Sequence, residues 1–421
     1  MTTPEDPHRD AAEATSDVWR VPGRSTRAIV DLDAIAGNLT TFRERVTAST
    51  RLMAVVKANA YGHGAQMVAR AALDGGASDL AVATVDEGLQ LRRAGIRAPI
   101  LVLGPIDVGE VDQAVEGELA IAVADRDSVR ALASSAADAA RGPAPVHLKI
   151  DTGMRRFGAM AADAAELASL ISSLPALRLA GTFSHFASAD ETDETFTLDQ
   201  LAVFETAIAA IRSAGIDPGL LHVANSAATL RSRRYDLDVV RLGISLYGIA
   251  PSADIPLWPG MRPALTVRTL IRRVIPLDRG DRVSYGGTYR ADREETAALV
   301  PIGYADGYHR LLSGRAWMGV GDGTARVRGR VCMDQTVIGW PSPAAVDLGS
   351  EVVVVGDGSG TAPTFSQLAE LAGTIPYELA TALAPRVPRL YLKGGRVVAV
   401  EDLFGLRHVA SHANTNDEAT G

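Results

Sequence analysis

LMAVVKANAYGHG, residues 52–64, runs from an apolar, strand-like stretch into Lys57 and then into Asn59, Tyr61, His63 and two glycines. Glycine permits a turn there, so the lysine stands at a strand C-terminus. Such a cation serves as a solvated terminus, as a phosphate contact, or as an amine that condenses with the carbonyl of a substrate or cofactor. The stretch alone leaves all three open.

Outward from it the same grammar repeats. Apolar runs, LMAVVKA, LAVATV, PILVLG, LAIAVAD, PVHLKID, LAGTFSHF, LLHVAN and VVRLGI, alternate over residues 52–244 with stretches such as AQMVARAALDGG and TLDQLAVFETAIAAIRSAG. The latter space their apolar residues helically and finish in glycine, which favours a left-handed helix cap. Eight such units close a parallel barrel, whereas a doubly wound open sheet more often has fewer strands and a Gly-rich turn after the first. The expected fold class is α/β, an N-terminal (β/α)8 TIM-type barrel over residues 25–262. From about residue 263 the runs become short and β-like, as in RVSYGGTY, ARVRGRVCMDQTVIGW and EVVVVGDG, separated by Gly and Asp turns. A C-terminal, mostly β domain over 263–402 is expected, with one helical insert in TFSQLAELAG. The polar flanks, 1–24 and 403–421, read as disordered tails.

The 421 residues are 47% hydrophobic and 22% charged, which suits a soluble chain of two domains. No apolar run reaches the roughly 18 residues of a membrane span, and the N-terminal stretch lacks the apolar core of a secretion signal. A cytoplasmic protein without membrane contact is expected. A net charge of −8 argues against bulk nucleic-acid binding but leaves room for small anions bound by local positive charge. The single Cys332 excludes a disulfide framework and a multi-cysteine metal site, and no metal is expected.

In a barrel of this type the active site lies at the C-terminal strand ends. Strand one ends in Lys57, strand five in Lys149 followed by Asp151 and Arg156, and strand six in His185. Strand seven ends in His222, Asn225 and Ser226, and strand eight in Arg241 and Gly243. Any one of these alone is more simply a structural residue; five ends meeting at one face are not. The loops after strands seven and eight commonly bind phosphate, and Ser226, Gly243 and the N–H of Ile244 supply the donors for it. A phosphate opposite a strand-one lysine suggests a phosphorylated aldehyde. Pyridoxal 5'-phosphate fits; a Schiff-base aldolase acting on a sugar phosphate is the alternative. Arg241 is the diagnostic residue, because arginine only donates and keeps its proton. A pyridine nitrogen facing it stays unprotonated, a weak electron sink that favours racemisation over reactions needing a long-lived carbanion.

AVVKANAYGHG, KIDTGMRRFG, SHFA, HVANSA, VRLGISLYG, VSYGGTY, VPIGYADGY, CMDQ and TIPYE, in that order, resemble the motifs of the alanine racemase family and cover nearly all of residues 25–400. The resemblance implies a homodimer that shares its active sites, the barrel mouth of one subunit meeting the β domain of the other. It implies Lys57 as the cofactor lysine and one catalytic base, and Tyr285 of the partner copy as the opposite base. Tyr61, Ser226, Gly243, Ile244 and Tyr377 would hold the phosphate, with His185, His222, Asn225 and Arg241 around the cofactor. Arg156 and the backbone of Met333 from the partner copy would hold the substrate carboxylate, while Tyr304 and Tyr377 narrow the entrance to suit a methyl side chain. Lys149 matches a position that is often carbamylated, the alternative being an unmodified lysine in a charge network; His63 and Cys332 read as structural. Two departures stand out: Leu242 where proline is common, and Arg155 doubling Arg156. A non-catalytic carrier built on the barrel alone, a two-domain decarboxylase and a racemase of broader substrate range are the rival readings. The β domain counts against the first and Arg241 against the second.

Overall fold

The computed structural model describes residues 18–139, 141–341 and 344–409. The chain forms two compact units. One comprises Ala34–Tyr61 and Ala65–Arg262; the other gathers the chain up to Asp33, Gly62–Gly64, and everything from Pro263 onward. Among the described residues no helix is long and apolar enough to cross a membrane.

The first unit is the expected eight-stranded parallel barrel. Its strands are β1 (Arg51–Val55), β2 (Asp79–Val82), β3 (Ile100–Val102), β4 (Ala120–Val123), β5 (Ala144–Asp151), β6 (Leu177–Phe183), β7 (Leu220–His222) and β8 (Val239–Leu242). Each run named from the sequence overlaps one of them. Neighbours pair in parallel from β1 round to β7, and β8 returns to β1 with Arg241 opposite Met53. The last seam, β7 to β8, is closed by two backbone bonds, Asp238 N–H to Leu221 O at 3.0 Å and Arg241 N–H to Ala224 O at 3.1 Å. Away from their ends the strands are mostly apolar because helices cover their outer face and side chains fill the interior. Leu80, Ala81 and Val82 are fully buried, and each such aliphatic side chain larger than alanine contributes about 1.5–3 kcal/mol on burial. The helix Ala65–Asp74 packs Met67, Val68, Ala71 and Ala72 inward at helical spacing. Helix Val85–Arg93 starts at a capping box, Thr84 with Glu87.

One irregularity shapes the barrel interior. The β5–β6 register shifts between Val146 and His147, so that His147 faces Gly181. A Cβ on Gly181 would lie 2.6 Å from the His147 ring and 2.6 Å from Leu220 O. Only glycine lets that imidazole enter the interior.

The second unit is built on an eleven-stranded sheet. Strand Arg27–Asp31 runs through it, antiparallel to Leu265–Leu270 and parallel to Arg389–Lys393. The sequence division at residue 25 places this strand with the barrel; its partners, more than two hundred residues away, put it in the β sheet. The expectation of a disordered tail also differs from the structure at residues 18–24. Val18 packs with Ile29, Leu390 and Val400, Trp19 Nε1 donates to Glu351 Oε2 at 2.5 Å, and Arg24 pairs with Asp306. Averaging over a polar stretch hides these few anchors. Gly405–His408, read as tail, pairs antiparallel with Arg396–Asp402. The remaining tail residues, 1–17 and 410–421, lie outside the described residues. The expected helical insert is Phe365–Ala372, followed by a second short helix, Pro376–Thr381.

Candidate active site

Lys57 follows β1 and opens an unusual turn. Ala58, Asn59, Ala60 and Tyr61 have φ of 50°, 52°, 53° and 52°, one turn of left-handed helix made without glycine. Left-handed residues with a Cβ each cost roughly 1–2 kcal/mol, so the surroundings must hold this turn. Ala60 N–H bonds to Val56 O at 2.9 Å, Asn59 Oδ1 accepts from Ala65 N–H at 2.8 Å, and Glu87 Oε1 accepts from Ala58 N–H at 2.6 Å. The turn leaves Lys57 at its start and Tyr61 at its end. Burial lowers the Lys57 ammonium pKa, Arg156 adds to that, and Glu87 opposes it.

Tyr61 lies against Tyr247, ring centroids 5.0 Å apart, and the Tyr247 hydroxyl donates to Val55 O at 2.8 Å. A Cβ on Gly243 would come within 2.8 Å of the Tyr61 hydroxyl, so the glycine is what admits the phenol to the β8 turn. Ser226 Oγ accepts the Gly243 N–H at 2.9 Å and the Ser245 N–H at 3.3 Å. Asn225 caps the helix Ser226–Arg231, its Oδ1 accepting from Ala228 N–H at 3.0 Å. Ile244 opens the short 3-10 turn Ile244–Tyr247, so its N–H has no acceptor within that turn. The Ser245 hydroxyl is fully buried and has no hydrogen-bond partner among the described residues.

Arg241 is buried at the end of β8. Nη1 donates to His222 Nδ1 at 2.9 Å, and Nη2 to Ser184 O at 2.8 Å, Val223 O at 3.0 Å and His185 Nδ1 at 3.1 Å. His222 Nε2 lies 2.9 Å from His147 Nδ1, and Phe183 stacks on the His222 ring at 4.7 Å. Burial first, then Arg241, pushes His222 and His185 well below the ordinary imidazole range; burial takes His147 down to about 3. Lys149 Nζ sits over the rings of Phe157 at 4.7 Å and Phe183 at 5.6 Å. Its ammonium is lowered to about 8 by burial, Arg156 and Arg241, partly opposed by Asp151. Of the arginine doublet, Arg156 is the one whose charge reaches Lys57, Lys149 and His185, while Arg155 turns to Met160, Nη1 to Sδ 3.2 Å.

The barrel mouth therefore gathers Lys57, Lys149, Arg156 and Arg241 around imidazoles that stay neutral. Among the described residues none of these four cations has a carboxylate ion pair, unlike Arg51 with Asp79 at the opposite strand ends. Concentrated positive charge of this kind is a site for anions.

The β unit carries the other named residues. Tyr285 sits in the loop between the paired strands Arg282–Val283 and Tyr289–Arg290 and is 71% exposed. The preceding Ser284 has φ 64°, held by its hydroxyl donating to Arg330 O at 2.6 Å and lying 3.2 Å from Cys332 Sγ. Tyr304 and Met333 come together because Gly303 lacks a Cβ, which would stand 2.3 Å from Cys332 O and 2.4 Å from Met333 O. Tyr304 N–H and Ala305 N–H then donate to those two carbonyls, both at 3.0 Å. Buried Asp306 braces this turn, accepting from Arg24, Arg386 and Gly303 N–H. Tyr377 is the second residue of the helix Pro376–Thr381 and is half-buried. His63 is fully buried.

Two polar residues were missed in the sequence. Glu87 was legible only as a helix cap in TVDE, and its second use needed the neighbouring strand end. His147 precedes Lys149 by two residues in PVHLKID, which at strand period puts both on one face.

Comparison with known proteins agrees with this arrangement. Residues 30–251 match the alanine racemase N-terminal domain family and residues 264–391 the alanine racemase C-terminal domain family. An alanine racemase of Symbiobacterium thermophilum is 42% identical over 369 residues, covering 87% of this chain and 97% of that protein. The crystal structure of alanine racemase from Bacillus anthracis with bound L-Ala-P superposes with a TM-score of 0.86 at 38% identity, over 91% of this chain and 99% of that one. Histidine racemase from Leuconostoc mesenteroides subsp. sake superposes with a TM-score of 0.80 at 30% identity, over 89% and 99%. Both halves being matched in order and nearly end to end, the chain belongs to the alanine racemase family.

Proposed function

We propose that this chain interconverts L-alanine and D-alanine by a two-base mechanism with pyridoxal phosphate on Lys57, in a cytoplasmic homodimer that supplies D-alanine for peptidoglycan. The observation that carries the reading is the barrel mouth: four cations that make no carboxylate ion pair among the described residues, beside neutral imidazoles and round a glycine turn. A phosphate and an amino acid carboxylate are the anions that would balance it. Fit to the phosphate is supported by the Tyr61 hydroxyl that the bare Gly243 admits to this turn and by the buried Ser245 hydroxyl, which has no hydrogen-bond partner among the described residues.

When bound, the cofactor supplies an electron-withdrawing ring that acidifies the α-hydrogen of the attached amino acid. Tyr61, Ser226, Gly243, Tyr377 and the N–H of Ile244 hold its phosphate, with Asn225 keeping the helix start in place. Arg241, locked by His222 and two carbonyls, offers only donors to the ring nitrogen. Arg156 and the Met333 backbone of a second copy hold the carboxylate. Lys149, whose lowered pKa leaves much of its amine neutral near pH 8, is chemically fit for carbamylation, and the resulting anion would orient Arg156. Lys57 moves a proton at one face of the α-carbon; the phenol of Tyr285 from a second copy moves one at the other. The exposure of Tyr285, Met333 and Tyr304, at 71%, 52% and 42%, suits a face that a second copy covers. Tyr304 and Tyr377 leave room for a methyl group.

The test is interconversion of the alanine enantiomers by the purified, cofactor-loaded protein, followed by circular dichroism. L-Serine and L-histidine run alongside, because the likeness to a histidine racemase makes broader specificity the one rival with an observation behind it. Equal turnover of serine or histidine would favour that rival; no turnover of alanine would remove the proposal.

A further inference from the structure

We infer that Glu87 is a positioning residue of the site: its carboxylate clamps the left-handed turn after β1 to the end of β2 and so aims Lys57 and Tyr61 together. The inference rests on the reading of Lys57 as the cofactor lysine. Glu87 Oε1 takes the Ala58 N–H at 2.6 Å, and Oε2 takes the Ala83 N–H at 2.7 Å and the Thr84 N–H at 3.3 Å. One side chain therefore joins two strand ends through three backbone donors. An anionic acceptor suits this work, since charge-assisted bonds are shorter and stronger than neutral ones. Its place is not left to chance, because the same residue closes the capping box of helix Val85–Arg93, with Glu87 N–H donating to Thr84 Oγ1 at 3.3 Å. Helix, β2 end and left-handed turn thus share one anchor. The strain stored in four successive left-handed residues gives the turn reason to spring open when that anchor is lost. Lys57 at one end and Tyr61 at the other would then move apart.

Glutamine in place of Glu87 keeps one carbonyl acceptor but presents an NH2 group to the other donors, so it serves one side of the clamp only. Alanine serves neither. The experiment compares wild type, Glu87→Gln and Glu87→Ala by hydrogen–deuterium exchange and by pyridoxal phosphate binding. In the cofactor-free protein a peptide over residues 57–62 is expected to exchange about tenfold faster in Glu87→Ala, with Glu87→Gln between, and strand β5 unchanged. Affinity for pyridoxal phosphate, titrated by absorbance, is expected to fall about 10- to 100-fold in the same order. Wild-type exchange in Glu87→Ala, or faster exchange with unaltered cofactor affinity, would overturn the inference. Should Glu87→Ala fail to fold, Glu87→Gln decides by the same two measurements. Borohydride fixation of the cofactor to wild-type Lys57 separates the two ideas: its failure removes the cofactor reading, while the exchange arm still judges the clamp.

Discussion

Arg241 donates a 2.9 Å hydrogen bond from Nη1 to Nδ1 of His222. Because guanidinium nitrogens only donate, His222 Nδ1 must accept, its Nε2 carries the proton, and His147 Nδ1 receives it at 2.9 Å. Arg241 thereby sets the tautomer of two buried imidazoles. Protonating either would break this order.

Acid sensitivity follows. With folded pKa values of His147, His185 and His222 below the ordinary imidazole value, the unfolded chain takes protons first as pH drops. Their contribution is therefore complete above about pH 6.5 and declines as pH falls towards the folded values, by about 1.4 kcal/mol per pH unit for each group. Urea unfolding between pH 7 and about 5 should show this loss, and His147→Gln should reduce its slope by about one proton. An unchanged slope would mean that His147 already titrates normally when folded.

Tyr285→Phe deletes a hydroxyl from an exposed ring, so stability should shift by less than about 0.5 kcal/mol. Racemisation in both directions should fall by about 100-fold or more, since each direction needs both bases. Lys57 remains, and by family resemblance it serves the D face. In heavy water the variant should still label the α-position of D-alanine and leave L-alanine almost unlabelled. Equal labelling of both would assign both faces to one group.

A site shared between copies predicts complementation. Lys57→Ala and Tyr285→Phe proteins are each expected to be nearly inactive, while exchanged mixtures form heterodimers with one intact site. Equal amounts should recover about a quarter of wild-type activity, the share of intact sites expected from random pairing into dimers. No recovery after exchange verified by native mass spectrometry would place both bases on one chain.

Gly243→Ala puts a methyl group within 2.8 Å of the Tyr61 hydroxyl and beside Ser226. The phenol must withdraw, taking one phosphate ligand with it. Affinity for pyridoxal phosphate, measured by equilibrium titration, should fall by about tenfold or more, the scale of a lost hydrogen bond to a charged group. Binding as tight as wild type would show that Tyr61 does not hold the phosphate.

By itself the sequence determined the barrel, because eight apolar runs separated by helical stretches state a local periodicity that any parallel barrel must satisfy. It also determined which strand ends carry Lys57, Lys149, His185, His222 and Arg241, since a side chain's place along a strand is a matter of counting. Tertiary structure alone decided what those residues meet. The Arg27–Asp31 strand joins a sheet whose partners begin at Leu265 and Arg389, a pairing that no local pattern encodes. Val18 and Trp19 are anchored by residues just as distant. The tautomers set by Arg241 and the grip of Glu87 on Ala58 depend on approaches of 2.6–2.9 Å between separate segments, and the choice of Arg156 over Arg155 on where each side chain turns. Periodicity is written between neighbours in the chain, whereas hydrogen bonds and electrostatic shifts depend on distance in space, which only the folded chain fixes.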